Sequence, residues 1–79
     1  MKLTTAIITR IRELLKKDHL TQYQLFKSSG VAQSTISSIL KGKVKTIKLE
    51  TLFDICFGLN IELDQFFSCD YFKFDSVER

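Results

Sequence analysis

Gly30 constrains this chain more than any other residue, because it stands between two short stretches that each carry helical periodicity. A glycine enters the left-handed backbone region at little cost, and a sharp turn between two helices needs a residue that does. On its N-terminal side Leu20 precedes Thr21-Gln22-Tyr23-Gln24. This is a capping-box pattern: the Thr21 hydroxyl can accept from the Gln24 amide, and the Gln24 side chain can reach back. The spacing predicts a short helix that buries Leu25, with Tyr23 or Phe26, and stops at Ser28-Ser29-Gly30. On the C-terminal side Ile36, Ile39 and Leu40 form one apolar stripe, which predicts a helix from Ala32 or Gln33 to Lys41, ended by Gly42. Gln33, Ser34, Ser37, Ser38 and Lys41 take up its remaining surface.

The rest of the chain is read in the same way. Ile7, Ile8, Ile11, Leu14 and Leu15 fall on one face of a first helix, expected to end near Lys17–His19. His19, at that end, is expected to act as a C-terminal cap or dipole partner. Lys43-Val44-Lys45-Thr46 reads as a basic loop. Leu49, Leu52, Phe53, Cys56 and Leu59 give a fourth helix and are taken as core, and Gly58-Leu59-Asn60 closes it. Glu62 to Phe67 reads as a short fifth helix with Leu63, Phe66 and Phe67 facing inward. Ser68 to Arg79 stays open, because Tyr71, Phe72 and Phe74 can pack on the domain, form a strand or meet a partner chain. The expected fold is all-α, a compact bundle of about five helices. Residues 1–68 form its domain, and residues 69–79 are a tail for packing or dimer formation.

A chain of 79 residues has room for one small core, and 44% hydrophobic residues argues against wholesale disorder. No apolar run is long enough to span a bilayer and no signal-peptide pattern opens the chain, so a membrane partner is not expected. Two cysteines are few for a disulfide-built domain of this size, which points to a reducing, cytoplasmic setting. Cys56 lies among apolar residues and reads as a small buried hydrophobe, with Cys69 nearer the surface. Neither cysteine, nor the lone His19, has ligand spacing, so no metal or cofactor is expected. No nucleophile-elbow motif or glycine-rich phosphate loop accompanies the serines and acids, and no enzyme is expected.

Net charge is +3, but its distribution is more informative. Residues 1–48 hold ten Lys and Arg against Glu13 and Asp18, a balance of +8. Residues 49–79 hold Lys73 and Arg79 against seven acids, a balance of −5. Unevenly charged solvated surface would look the same. Beside the two short helices, however, the pattern fits one face turned to a polyanion and another turned away from it or towards a protein. Two helices joined by a glycine turn, the second polar on its outer face, describe a helix-turn-helix. To enter a major groove, the second helix needs hydrogen-bonding side chains of modest size outside and an apolar face to hold it inside. Gln33, Ser34, Ser37 and Ser38 meet the first need, and Ile36 and Ile39 the second.

At these positions the chain resembles a known family. Arg12-Glu13-Leu14, Leu20-Thr21-Gln22, Gly30-Val31, Ser34-Thr35-Ile36-Ser37, Gly42-Lys43 and Leu49-Glu50-Thr51-Leu52 are similar, in order and spacing, to the XRE group of lambda-repressor and Cro-type regulators over roughly residues 8–67. The resemblance implies a bundle of about five helices whose second and third form the helix-turn-helix. It implies phosphate contact by Gln22 and by Lys41, Lys43 and Lys45, and base contact by Gln33, Ser34, Ser37 and Ser38. A glutamine can pair bidentately with adenine.

Three departures from the family pattern carry consequences. Leu15 and Leu40 stand where members often carry an Arg and a Glu, so an apolar contact is expected in place of an ion pair. Ala32 stands where a Ser or Thr cap is usual. Phe26 replaces a usually small residue, which can shift how the first two helices meet. In addition, no Arg precedes Lys41 in the recognition helix, which predicts modest specificity or a preference for A·T-containing sites.

The expected function is a sequence-specific transcriptional regulator, a repressor, that binds double-stranded DNA as a homodimer. The alternatives are an antitoxin-type partner, or another interaction module, that binds a protein through the acidic, aromatic C-terminal part. Phe66, Phe67, Tyr71, Phe72 and Phe74 are the expected dimer surface.

Overall fold

The computed structural model describes residues 1–79. Five α-helices follow one another: α1 Leu3–Lys17, α2 Gln22–Ser29, α3 Gln33–Leu40, α4 Leu49–Gly58 and α5 Leu63–Phe67. A 3-10 turn at Asp70–Phe72 completes the fold, which is all-α as its periodicity predicts. None of these helices is long and apolar enough to cross a membrane.

Local sequence sets each helix end. The Thr21 hydroxyl accepts from the Gln24 amide at 3.1 Å, and the Gln24 side chain accepts from the Thr21 amide at 2.9 Å, so the capping box at α2 is complete. Gly30 ends α2 at φ +76° and Gly42 follows α3 at φ +72°. After α1, His19 holds φ +55° and its amide donates to the Lys16 carbonyl, a backbone C-terminal cap. Gly58-Leu59-Asn60 closes α4 as expected: Gly58 is the last helical residue and Asn60, at φ +57°, is the left-handed one. A methyl group on Gly58 would stand 2.7 Å from Ser29 Cβ and 3.0 Å from Ser29 Cα. Close approach of α4 to the end of α2 is therefore what requires a glycine there.

One apolar cluster joins all five helices, with Ile11, Leu25, Ile36, Leu52, Ile55, Cys56 and Phe66 essentially sealed from water. Leu15 and Leu40 both lie buried in it. Cys56 is buried as expected, and burial pushes its thiol up to about 11. Two residues taken as core are not: Leu49 and Phe53 lie on the exposed flank of α4. Of Tyr23 and Phe26, it is Phe26 that packs partly against the core, and Tyr23 is exposed.

The tail packs back on the bundle. Phe72 packs edge-on to Phe67, with ring centroids 4.8 Å apart, and tilted against Phe66, and the Tyr71 hydroxyl donates to Glu13 Oε1. No strand forms; a single parallel bridge pairs Lys2 with Glu78, and the N-terminal ammonium donates to the Ser76 carbonyl at 2.8 Å. Of the five aromatic residues read as a dimer surface, Phe66 is fully buried, Phe67, Tyr71 and Phe72 are half-covered, and Phe74 alone is exposed.

Candidate nucleic-acid interface

The turn between α2 and α3 is held from both sides. The Gly30 amide donates to the Phe26 carbonyl at 3.0 Å, the Val31 amide donates to Ser29 Oγ at 3.1 Å, and the Val31 side chain is buried beneath the turn. With Leu25 sealed on one helix and Ile36, Ile39 and Leu40 on the other, α2 and α3 form one rigid unit.

The outer face of α3 is polar throughout. Gln33 and Ser34 are exposed at its first turn, while Ser37 and Ser38 are half-covered one turn later. Thr35 is exposed as well and was not singled out from the sequence. Its placement follows from the stripe, because Thr35 lies outside the arc that Ile36, Ile39 and Leu40 occupy on the helix. Ala32 offers no side-chain cap, so the amides of Gln33, Ser34 and Thr35 open α3 towards solvent. At α2 the capping box takes up the Thr21 and Gln24 amides and leaves those of Gln22 and Tyr23 free at the exposed start of the helix. Both termini are therefore positive ends with donors to spare.

The basic loop leaves α3 through Gly42. Lys41, Lys43, Lys45 and Lys48 are all exposed, and none has a carboxylate partner, since the one ion pair in the molecule joins Lys73 to Asp70. Val44 and Ile47 pack partly against the core, and the Thr4 hydroxyl donates to the Lys45 carbonyl at 2.8 Å. The loop backbone is thereby tied to α1 while its charges face out. Gln33, Ser34, Ser37, Ser38, Lys41, Lys43 and Lys45 thus follow one another along α3 and the loop that leaves it, and Gln22 opens the neighbouring α2.

Arg10 belongs to the basic half by sequence but is used internally. Its Nε donates to the Phe66 carbonyl at 2.8 Å and its Nη2 to the Gln65 carbonyl at 3.1 Å, which caps the C-terminal end of α5. These partners lie more than fifty residues away, and no local pattern signals them.

A rigid helix pair, a polar outer face on the second helix and unpaired lysines beyond it form an arrangement suited to a groove flanked by phosphates. Comparison with known families agrees. A family model described as a Cro/C1-type HTH DNA-binding domain matches residues 10–71, from within α1 to the 3-10 turn. No curated protein and no solved structure matches the chain. The family match covers most of the chain, and its two central helices are the pair built around Gly30: the chain belongs to the Cro/C1-type helix-turn-helix DNA-binding domain family.

Proposed function

We propose that the protein is a sequence-specific transcriptional regulator that binds duplex DNA as a dimer and inserts α3 into the major groove. Gln33 and Ser34 read base edges from the first turn of α3, and Ser37 and Ser38 contact the groove or its walls. Gln22 and the free amides at the start of α2 hold a phosphate, and Lys41, Lys43 and Lys45 lie along the backbone. A bound domain blocks access to the duplex it covers, so repression is the simplest outcome. The observation that carries this reading is the outer face of α3, polar and unpaired on a helix whose inner face is locked by Ile36, Ile39 and Leu40.

Side-chain chemistry sets the expected site. A glutamine and small hydroxyls, with no arginine, favour adenine and A·T-containing sequence over guanine runs. Selection on random duplex DNA at two salt concentrations tests the reading. The expected result is a symmetric, A·T-containing consensus whose half-sites lie about 34 Å apart, with affinity falling steeply as salt rises. Recovery of no consensus at either salt would contradict it.

A further inference from the structure

The outer face of α4 is the largest feature that DNA recognition does not use. α4 carries two apolar faces. Leu52, Ile55 and Cys56 point into the core, whereas Leu49, Phe53 and Phe57 recur every fourth residue along the flank beside them, 62%, 55% and 72% exposed. A surface helix needs only one apolar face, and isolated exposed hydrophobics require no explanation, but an aligned row of three bulky ones does. Beside the row runs a groove of about 430 Å3 lined by Leu49, Glu50, Phe53, Asp54 and Leu63.

We propose that this face joins two copies of the chain about a two-fold axis passing at Phe53, with the two α4 helices antiparallel. The proposal rests on the reading of the protein as a dimeric DNA-binding regulator. It names the surface that makes the dimer.

Three observations favour a second copy as the occupant. First, the row is self-complementary. With Phe53 at the axis, Leu49 faces the partner's Phe57 and the reverse, as an isologous contact requires. Each ridge has the groove beside α5 to enter. Second, the area fits a small, reversible dimer. At the exposures given, the three side chains offer roughly 350 Å2 per protomer, against about 800 Å2 per partner in a standard interface. They therefore supply its apolar centre and leave the rim to polar neighbours. Third, the ends of α4 are complementary in charge, while Glu50 and Asp54, which line the groove on both copies, repel across the axis and set the cost that the apolar row has to outweigh. Lys48 precedes α4, and no basic residue lies in the last turn of α4. Antiparallel pairing sets that lysine beside the negative carbonyl end of the partner's helix. The same pairing places Leu49 about 6 Å along α4 from the axis, so the basic loop that ends at Lys48 enters on both sides of it. Two such loops flanking one axis suit two adjacent half-sites on one duplex.

The test is sedimentation velocity from micromolar to near-millimolar protein, without DNA and with it, on the full chain and on Phe53→Glu and Phe57→Ser. Both substituted side chains are exposed, so circular dichroism should show the fold kept. The expected result is a monomer–dimer equilibrium for the natural chain and a dissociation constant raised at least about 30-fold by Phe53→Glu. As a second readout, Phe53→Cys in a Cys69→Ser background should cross-link to a dimer on mild oxidation, and Phe74→Cys in the same background should not. A natural chain that stays monomeric with and without DNA overturns the proposal, as does a dimer that Phe53→Glu leaves intact. Either of these results together with a recovered consensus site would leave DNA recognition standing and remove only the interface.

Discussion

Helices α3 and α4 are built on the same plan inside and on opposite plans outside. Both present isoleucine and leucine to the core: Ile36, Ile39 and Leu40 on α3, Leu52 and Ile55 on α4. Outside, α3 shows Gln33, Ser34 and Thr35, and α4 shows Leu49, Phe53 and Phe57. Water hydrates the first face well, and a ligand that replaces that water has to offer hydrogen bonds in return. Water hydrates the second poorly, and any apolar surface that covers it gains from its release. One small domain thus carries two kinds of surface on consecutive helices, one polar and one apolar.

The comparison breaks first at the inner faces, where the effects are largest. Ile36→Ala should cost about 2–5 kcal/mol, a large part of the stability of a domain this small, and should lose DNA binding through unfolding. Phe57→Ser, on the outer face of α4, should change stability by no more than about 0.5 kcal/mol. Thermal unfolding of the two variants checks both, and equal losses would mean that Phe57 supports the fold more than its exposure indicates.

Gly58→Ala comes next. Alanine in a helix gains about 1 kcal/mol over glycine, but the added methyl meets both the side chain and the backbone of Ser29. Overpacking of about 1–3 kcal/mol should win. A drop in Tm of roughly 4–8 °C for each kcal/mol lost is the expected reading, and a rise would show that α2 and α4 can part without penalty. The smallest effect should come from the loop. Lys43→Ala should lower the salt dependence of DNA binding by about 0.9 of a counterion while leaving the preferred sequence unchanged. Lys73→Ala, at the exposed lysine paired with Asp70, should leave the slope where it is.

Local chemistry made much of this fold legible. Thr21 and Gln24 announce the start of α2, Gly30 and Gly42 mark the turns, and the stripe Ile36, Ile39, Leu40 orients α3, so the face bearing Gln33 and Ser34 could be read before any coordinates. Contacts between distant segments were not legible. Arg10 looks like one more surface cation until its bonds to the end of α5 are seen. Phe66 and Phe72 look available for a partner until they are found packed against each other. On α4 apolar residues occur on both sides, so periodicity gave no means of choosing which of Leu49, Leu52, Phe53 and Cys56 face the core. Only packing against α2 decides it. Gly58 marks the end of α4 in the sequence, but its second role stayed hidden for the same reason: the neighbour that forbids a side chain there lies on another helix.

If the outer face of α3 reads sequence while the lysines supply general affinity, substitution separates the two. The double variant Gln33→Ala with Ser34→Ala, measured on a selected site and on an unrelated duplex at the same salt, does so. Both residues are exposed, so the fold should be unaffected. Affinity for the selected site should fall roughly ten- to a hundredfold while affinity for the unrelated duplex is unchanged. Equal losses on both duplexes, or no loss on the selected one, would contradict that division of roles.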